Sequence, residues 1–139
     1  MIKANELMIG DWVRGTATLD QEWYGWQIAP GECIQVRSIL HTGINYESNG
    51  CAESFEDDTI RFDDIEPIPL TPEILEKNGW DPITYKIEGA EKVHCRPMVV
   101  AKDYVVFEVS CGWGAYPVVF VHQLQHLLRL FEIDKEIEL

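Results

Sequence analysis

His122 and His126 stand four residues apart in Val121-His122-Gln123-Leu124-Gln125-His126-Leu127, which sets two imidazoles on one face of a helix. That spacing can bind zinc. The zinc-protease pattern also needs a carboxylate at the position of Gln123, to take a proton from the metal-bound water. An amide cannot do so, which leaves that route without its base. No third ligand is evident, and the pair reads first as two surface or interdomain histidines. Cys111 lies in the glycine-rich run Cys111-Gly112-Trp113-Gly114-Ala115 with His122 downstream, an order that could serve a thiol nucleophile. Nothing beside it marks an orienting partner or an oxyanion site, so Cys111 reads as structural. The glycines at 112–114 do not lead from a strand into a helix and form no phosphate cradle. The sequence therefore predicts no catalytic residue and no cofactor. For metal, His122 and His126 are weak candidates only.

Binding is better marked than catalysis. Glu22-Trp23-Tyr24-Gly25-Trp26-Gln27 places three large aromatics in a polar, glycine-bearing stretch, and aromatic side chains of that kind often anchor interfaces. Trp23, Tyr24 and Trp26 are the candidate contact residues; at least one of them also reads as a cap on the core. Glu56-Asp57-Asp58, with Asp63-Asp64 nearby, is the centre of an acidic face, and Asp57 and Asp58 join the candidate binding set. The chain has 24 acidic and 11 basic residues, for a net charge of −13. Residues 1–70 hold thirteen acids and four bases, a net of −9; residues 71–139 hold eleven and seven, a net of −4. Such scattered basic residues make no phosphate-neutralising surface, so direct contact with nucleic acid is not expected. The acidity serves solubility first. A sharper reading is a basic protein partner, including mimicry of nucleic acid.

At 139 residues, with 46% apolar and 11% aromatic content, the chain can bury a real core as one domain or two small packed ones. No apolar run approaches the roughly 20 residues of a membrane span. The first residues lack the apolar centre of a signal peptide. Cys33, Cys51, Cys95 and Cys111 stand singly, without framework spacing, and predict reduced thiols in the cytoplasm.

The elements that must position these residues follow from local signals. Ile9-Gly10-Asp11-Trp12-Val13 reads as a turn feeding a strand, and 19–31 as a long loop or flexible hairpin. Residues 33–40 form a strand with Ile34 and Val36 on one face and Gln35, Arg37 and Ile39 on the other. The turn at 41–43 and a return over 44–47 make a hairpin. Thr59-Ile60-Arg61-Phe62 is a further strand, followed by a single 3₁₀ turn over 62–65 and an extended segment over 66–70. The stretch Glu66-Pro67-Ile68-Pro69-Leu70-Thr71-Pro72-Glu73-Ile74-Leu75-Glu76-Lys77-Asn78-Gly79-Trp80 then carries a complete helix over about 72–78. Thr71 is its N-cap, Pro72 its first residue, and Gly79 its left-handed stop. Leu70 and Leu75 are spaced as a hydrophobic staple. Beyond it, strands are expected over 83–88, 97–101, 104–110 and 116–121. The amphipathic helix at about 121–132 has Val121, Leu124, Leu127, Leu128 and Phe131 on its apolar arc. His122, His126 and Arg129 lie opposite, with Leu130 breaking the pattern. Residues 135–139 alternate as a short edge strand would. Trp12 and Trp80 read as core.

The stretches Lys3-Ala4-Asn5-Glu6-Leu7-Met8-Ile9-Gly10-Asp11-Trp12-Val13, 66–80 and 121–127 together resemble the signature of an uncharacterised family. Its members are small proteins of gut anaerobes, their phages and integrated elements. The resemblance spans nearly the whole chain, and 66–80 is its most specific part. Asp11 replaces an expected Asn, Trp80 a commoner Phe, and the aromatic loop at 19–31 is longer. The resemblance implies a small, phage-associated intracellular protein with no assigned reaction, and it carries over no functional residues.

The expectation is an α+β protein in two parts. Residues 1–70 form an SH3-like β-barrel. Residues 71–139 form a small antiparallel sheet with the short helix and the longer C-terminal one. Five short strands, a long loop after the first and a single-turn helix before the last suggest the barrel. The leading functional expectation is a non-enzymatic adaptor that binds another protein and touches neither membrane nor nucleic acid; a homodimer is compatible with it. The alternatives are an acidic decoy for a basic protein and a metal-dependent activity at His122 and His126.

Overall fold

The computed structural model describes residues 2–16, 19–21, 26–28, 31–41, 43–48, 60–102, 104–112 and 114–139; for 19–21, 26–28 and 47–48 it describes the backbone course alone. The protein is α+β, with two antiparallel sheets and a C-terminal helix. It divides into two compact units, Met1–Ile68 and Pro69–Leu139. No described helix is long and apolar enough to cross a membrane.

In the first unit, β1 (Trp12–Gly15) is followed by a two-stranded ribbon, β2 (Leu19–Gln21) and β3 (Trp26–Ile28). Then come β4 (Cys33–Ile39), β5 (Gly43–Ser48), β6 (Ile60–Arg61) and β7 (Ile65–Pro67). The main sheet has the order β6-β5-β4-β1-β7. Among the described residues no strand joins β6 to β7, so no closed barrel is found. The core is Ile2, Leu7, Val13, Ile34, Val36, Ile44, Tyr46, Ile60 and Ile65, with Ile39 and Phe62 packed at its margin. Ile39 corrects the expected alternation. The β4–β5 register passes from Val36↔Tyr46 to Ser38↔Asn45, leaving Arg37 as an extra residue. That bulge turns Ile39 inward, opposite buried Ile44. A 3₁₀ turn, Phe62–Asp64, carries the chain from β6 into β7. Entry to β1 is fixed by fully buried Asp11, whose carboxylate accepts from the Met8 N–H at 2.8 Å.

The second unit opens with α1 (Pro72–Lys77). The Thr71 hydroxyl accepts from the Ile74 N–H at 3.2 Å, and buried Leu70 and Leu75 flank the start. Its end is a Schellman turn: Gly79 (φ +85°) donates to the Glu76 carbonyl and Trp80 to that of Leu75. The sheet has the order β11-β10-β9-β8, built from β8 (Lys86–Ile87), β9 (Ala90–Val100), β10 (Val105–Cys111) and β11 (Gly114–Val118). The expected strand at 83–88 shrinks to β8. Asp81 is the reason: its carboxylate accepts from the Ile83 N–H (2.9 Å) and the Thr84 hydroxyl (3.1 Å), folding 81–85 into a turn. The first half of β9 was hidden by its polar start at Glu91 and Lys92.

The C-terminal helix is α2 (Val121–Leu130). Gln123 caps it, its side-chain oxygen accepting from the backbone N–H groups of Val119 (2.9 Å) and Phe120 (3.1 Å). The amide that spoils a zinc-protease motif is thus the group that starts the helix. A second Schellman turn ends it, with Glu132 at φ +58° in the place glycine usually takes. Residues 135–139 form no strand. Buried Asn78 holds them instead, donating to the Glu138 carbonyl and accepting from its N–H at 2.7 and 2.8 Å.

Candidate functional site

Of the residues singled out for binding, Trp23, Tyr24, Asp57 and Asp58 lie outside the described residues. Trp26 begins β3, in register with Gln21 of β2, on the connection between β1 and β4. The structure therefore does not bring this set together into a described site.

The sequence reads the α2 histidines as a surface or an interdomain pair, and His122 departs from the first of these. His122 is not a surface group: it is buried, as is Gln125. Its ring stacks on Phe120, with centroids 5.9 Å apart and planes at 12°. His126, half-buried, meets it edge-on at 5.6 Å and 75°. The arc read as polar is therefore half inside. Among the described residues no group of three His, Cys, Asp or Glu is placed to hold a metal ion.

The thiols are no better placed for chemistry. Burial pushes the Cys95 thiol up to about 12, so at neutral pH it stays protonated. Burial also raises Cys33, opposed in part by the nearby Arg14 guanidinium. Arg14 itself is paired across the sheet with Glu66 at 2.5 Å. Cys111 ends β10 opposite Gly114. A cleft of about 350 Å³ lies between the turn before β9 and the end of α2, where Glu91, Glu132 and Asp134 contribute carboxylates. These side chains are exposed, and Glu91 is occupied by the Gly89 N–H.

The β9–β10 hairpin is where the apolar residues and their burial part company. In its near half, Val93, Cys95, Phe107 and Val109 are fully buried. Trp80 covers them: its ring stands edge-on to Phe107 at 6.2 Å and its indole N–H donates to the Cys95 carbonyl at 2.9 Å. In the far half, Met98 (54% exposed), Val99 (53%), Val100 (76%) and Tyr104 (49%) face solvent. The neighbouring strand stops short of this stretch. β8 pairs with β9 only at Ala90 and His94, and the Cys95 N–H to Tyr85 carbonyl bond (2.8 Å) continues that side by one residue. Among the described residues nothing pairs with β9 beyond it on that edge.

Pro97, which has no N–H to give, sits at this open stretch, as prolines in sheets do. The register shift that leaves Met98 as an extra residue follows at once. Ile83, 85% exposed, tops the turn leading into β8 and so lies toward the same end of β9. The sequence reading missed this surface. Its signal was a run, Met98-Val99-Val100-Ala101, that is apolar without alternation. Such a run needs cover on both faces or leaves one bare.

Comparison with protein-family models, curated proteins and solved structures finds no match to the chain.

Proposed function

We propose that this protein is a non-enzymatic adaptor whose second unit contacts another protein through the far half of the β9–β10 hairpin. One observation carries the reading: four large apolar side chains, Met98, Val99, Val100 and Tyr104, are bare on a chain that carries a net charge of −13. Contiguous exposed apolar surface on a soluble domain marks a protein contact more often than an enzyme site. The buried, protonated Cys95 gives a reactive-thiol reading no support.

A second contact belongs to the same proposal. The order β7-β1-β4-β5-β6, with a long connection after β1 and a 3₁₀ turn before β7, supports an SH3-like barrel for the first unit. In such a barrel the connection that carries Trp23, Tyr24 and Trp26 borders the peptide groove. Asp57 and Asp58 would add an acidic flank for a basic segment.

The test places a photoreactive side chain at position 100 and, separately, at exposed Glu73 of the full chain, followed by irradiation in extract of the source cell. A discrete adduct from position 100 and none from position 73 is expected. Identical patterns at both positions, or no adduct at 100, rule the hairpin out as a contact.

A further inference from the structure

The open edge of β9 has a charge as well as a shape. From residue 92 to 102 the sequence runs Lys92-Val93-His94-Cys95-Arg96-Pro97-Met98-Val99-Val100-Ala101-Lys102, with three bases and no acid, in a chain where acids outnumber bases by 24 to 11. Arg96 and Lys102 are exposed and bracket Met98, Val99 and Val100. Glu108 is the register partner of Arg96 on β10, yet no ion pair joins them. The bare strand is therefore basic by itself, on a hairpin where Glu91, Asp103 and Glu108 balance Lys92, Arg96 and Lys102, in a molecule that is acidic elsewhere.

Resting on the adaptor reading above, we infer that residues 96–100 accept an extended acidic segment of a partner protein, which adds to the sheet as a strand beside β9. A strand whose outer edge is unpaired offers backbone donors and acceptors to an incoming chain, and alternate side chains set its specificity. Carboxylates on the incoming strand meet Arg96 and Lys102, and its apolar residues cover Val99 and Val100. A second copy of this chain is the poorer occupant. Symmetric antiparallel pairing centred on Val99 sets Arg96 of each copy opposite Lys102 of the other, and like charges directly opposite are unfavourable. The same two bases that attract an acidic strand thus keep copies apart.

The test uses the full chain as bait against a displayed library of random twelve-residue peptides. Selected binders are then measured by fluorescence anisotropy and by amide hydrogen exchange of the protein. Binders rich in Asp and Glu with alternating apolar residues are expected. They should slow exchange within 96–100 and weaken about tenfold or more, the loss of ~1.4 kcal/mol, when Arg96→Glu and Lys102→Glu are combined. N-methylation of alternate peptide amides should abolish binding while leaving every side chain in place. Basic or proline-rich binders, binders indifferent to N-methylation, or no enrichment over the doubly reversed variant would overturn the inference. So would a dimer in sedimentation that Arg96→Glu tightens. The broader adaptor reading fails separately: a position-100 adduct with no acidic binders leaves the contact standing and removes only its strand-adding, acidic character.

Discussion

The two halves of the β9–β10 hairpin share strands and apolar residue types, are separated by the bulge at Met98, and differ in what lies over them. Near the base, Val93, Cys95, Phe107 and Val109 are fully buried, with Trp80 against Phe107 and Cys95. Toward the tip, Met98, Val99 and Val100 are as apolar and have no cover. Hydrophobicity alone therefore does not assign a residue to the core; the reach of the neighbouring element does. A two-residue β8 is the measure of that reach.

Thiol labelling should separate the two halves most widely. With the other cysteines replaced by Ser, Cys95 should label only through unfolding, slower than an exposed thiol by at least about a thousandfold for a domain of ordinary stability. A thiol introduced by Val100→Cys, with Cys95→Ala, should react at the rate of a model peptide. Comparable rates would erase the distinction.

Next in size is Phe107→Ala, which removes the ring under Trp80 and should cost about 3–5 kcal/mol in chemical denaturation. Gly79→Ala should follow at roughly 1–3 kcal/mol. Its φ is +85°, and an added Cβ would come within 2.5 Å of the Glu88 Cβ, pushing apart the segment that brings Trp80 over the sheet. Val99→Ser and Val100→Ser should change stability by no more than about 0.5 kcal/mol each, as bare positions do. A larger loss would show that the tip is covered after all.

The smallest effect concerns the turn that carries Ile83. The Asp81 carboxyl is held below its usual range by the Ile83 N–H first and the Thr84 hydroxyl second. A depressed folded value means the contribution is present above the ordinary Asp range and fades as pH falls through the folded value. The protection factor of the Ile83 amide, its slowing relative to the intrinsic exchange rate at the same pH, should therefore fall on strong acidification, and Asp81→Ala, which removes the acceptor, should abolish it at neutral pH.

Local signals made much of this structure legible. Thr71, Pro72 and Gly79 act within a turn of themselves, and α1 starts and stops where they say. The apolar arc of α2 reads equally well, although burial of His122 and Gln125 does not, because what packs against a helix is written elsewhere in the chain. The bulge at Arg37 and the turn at Asp81 escaped for a related reason. Each breaks a period-two pattern through a hydrogen bond or register slip that spacing cannot carry. The exposed tip escaped because a run of valines looks the same whether or not a neighbouring strand reaches it.

Asn78 carries one further consequence, for the order in which the second unit assembles. Its side chain bridges 60 positions of sequence to clasp Glu138, and also donates to the carbonyl of Ile74 within α1. Closing a loop that long is entropically costly and gains little until α1 has already stopped at Gly79. The clasp is thus among the last contacts to form and the first to let go. Fraying of the second unit should begin at its final residues.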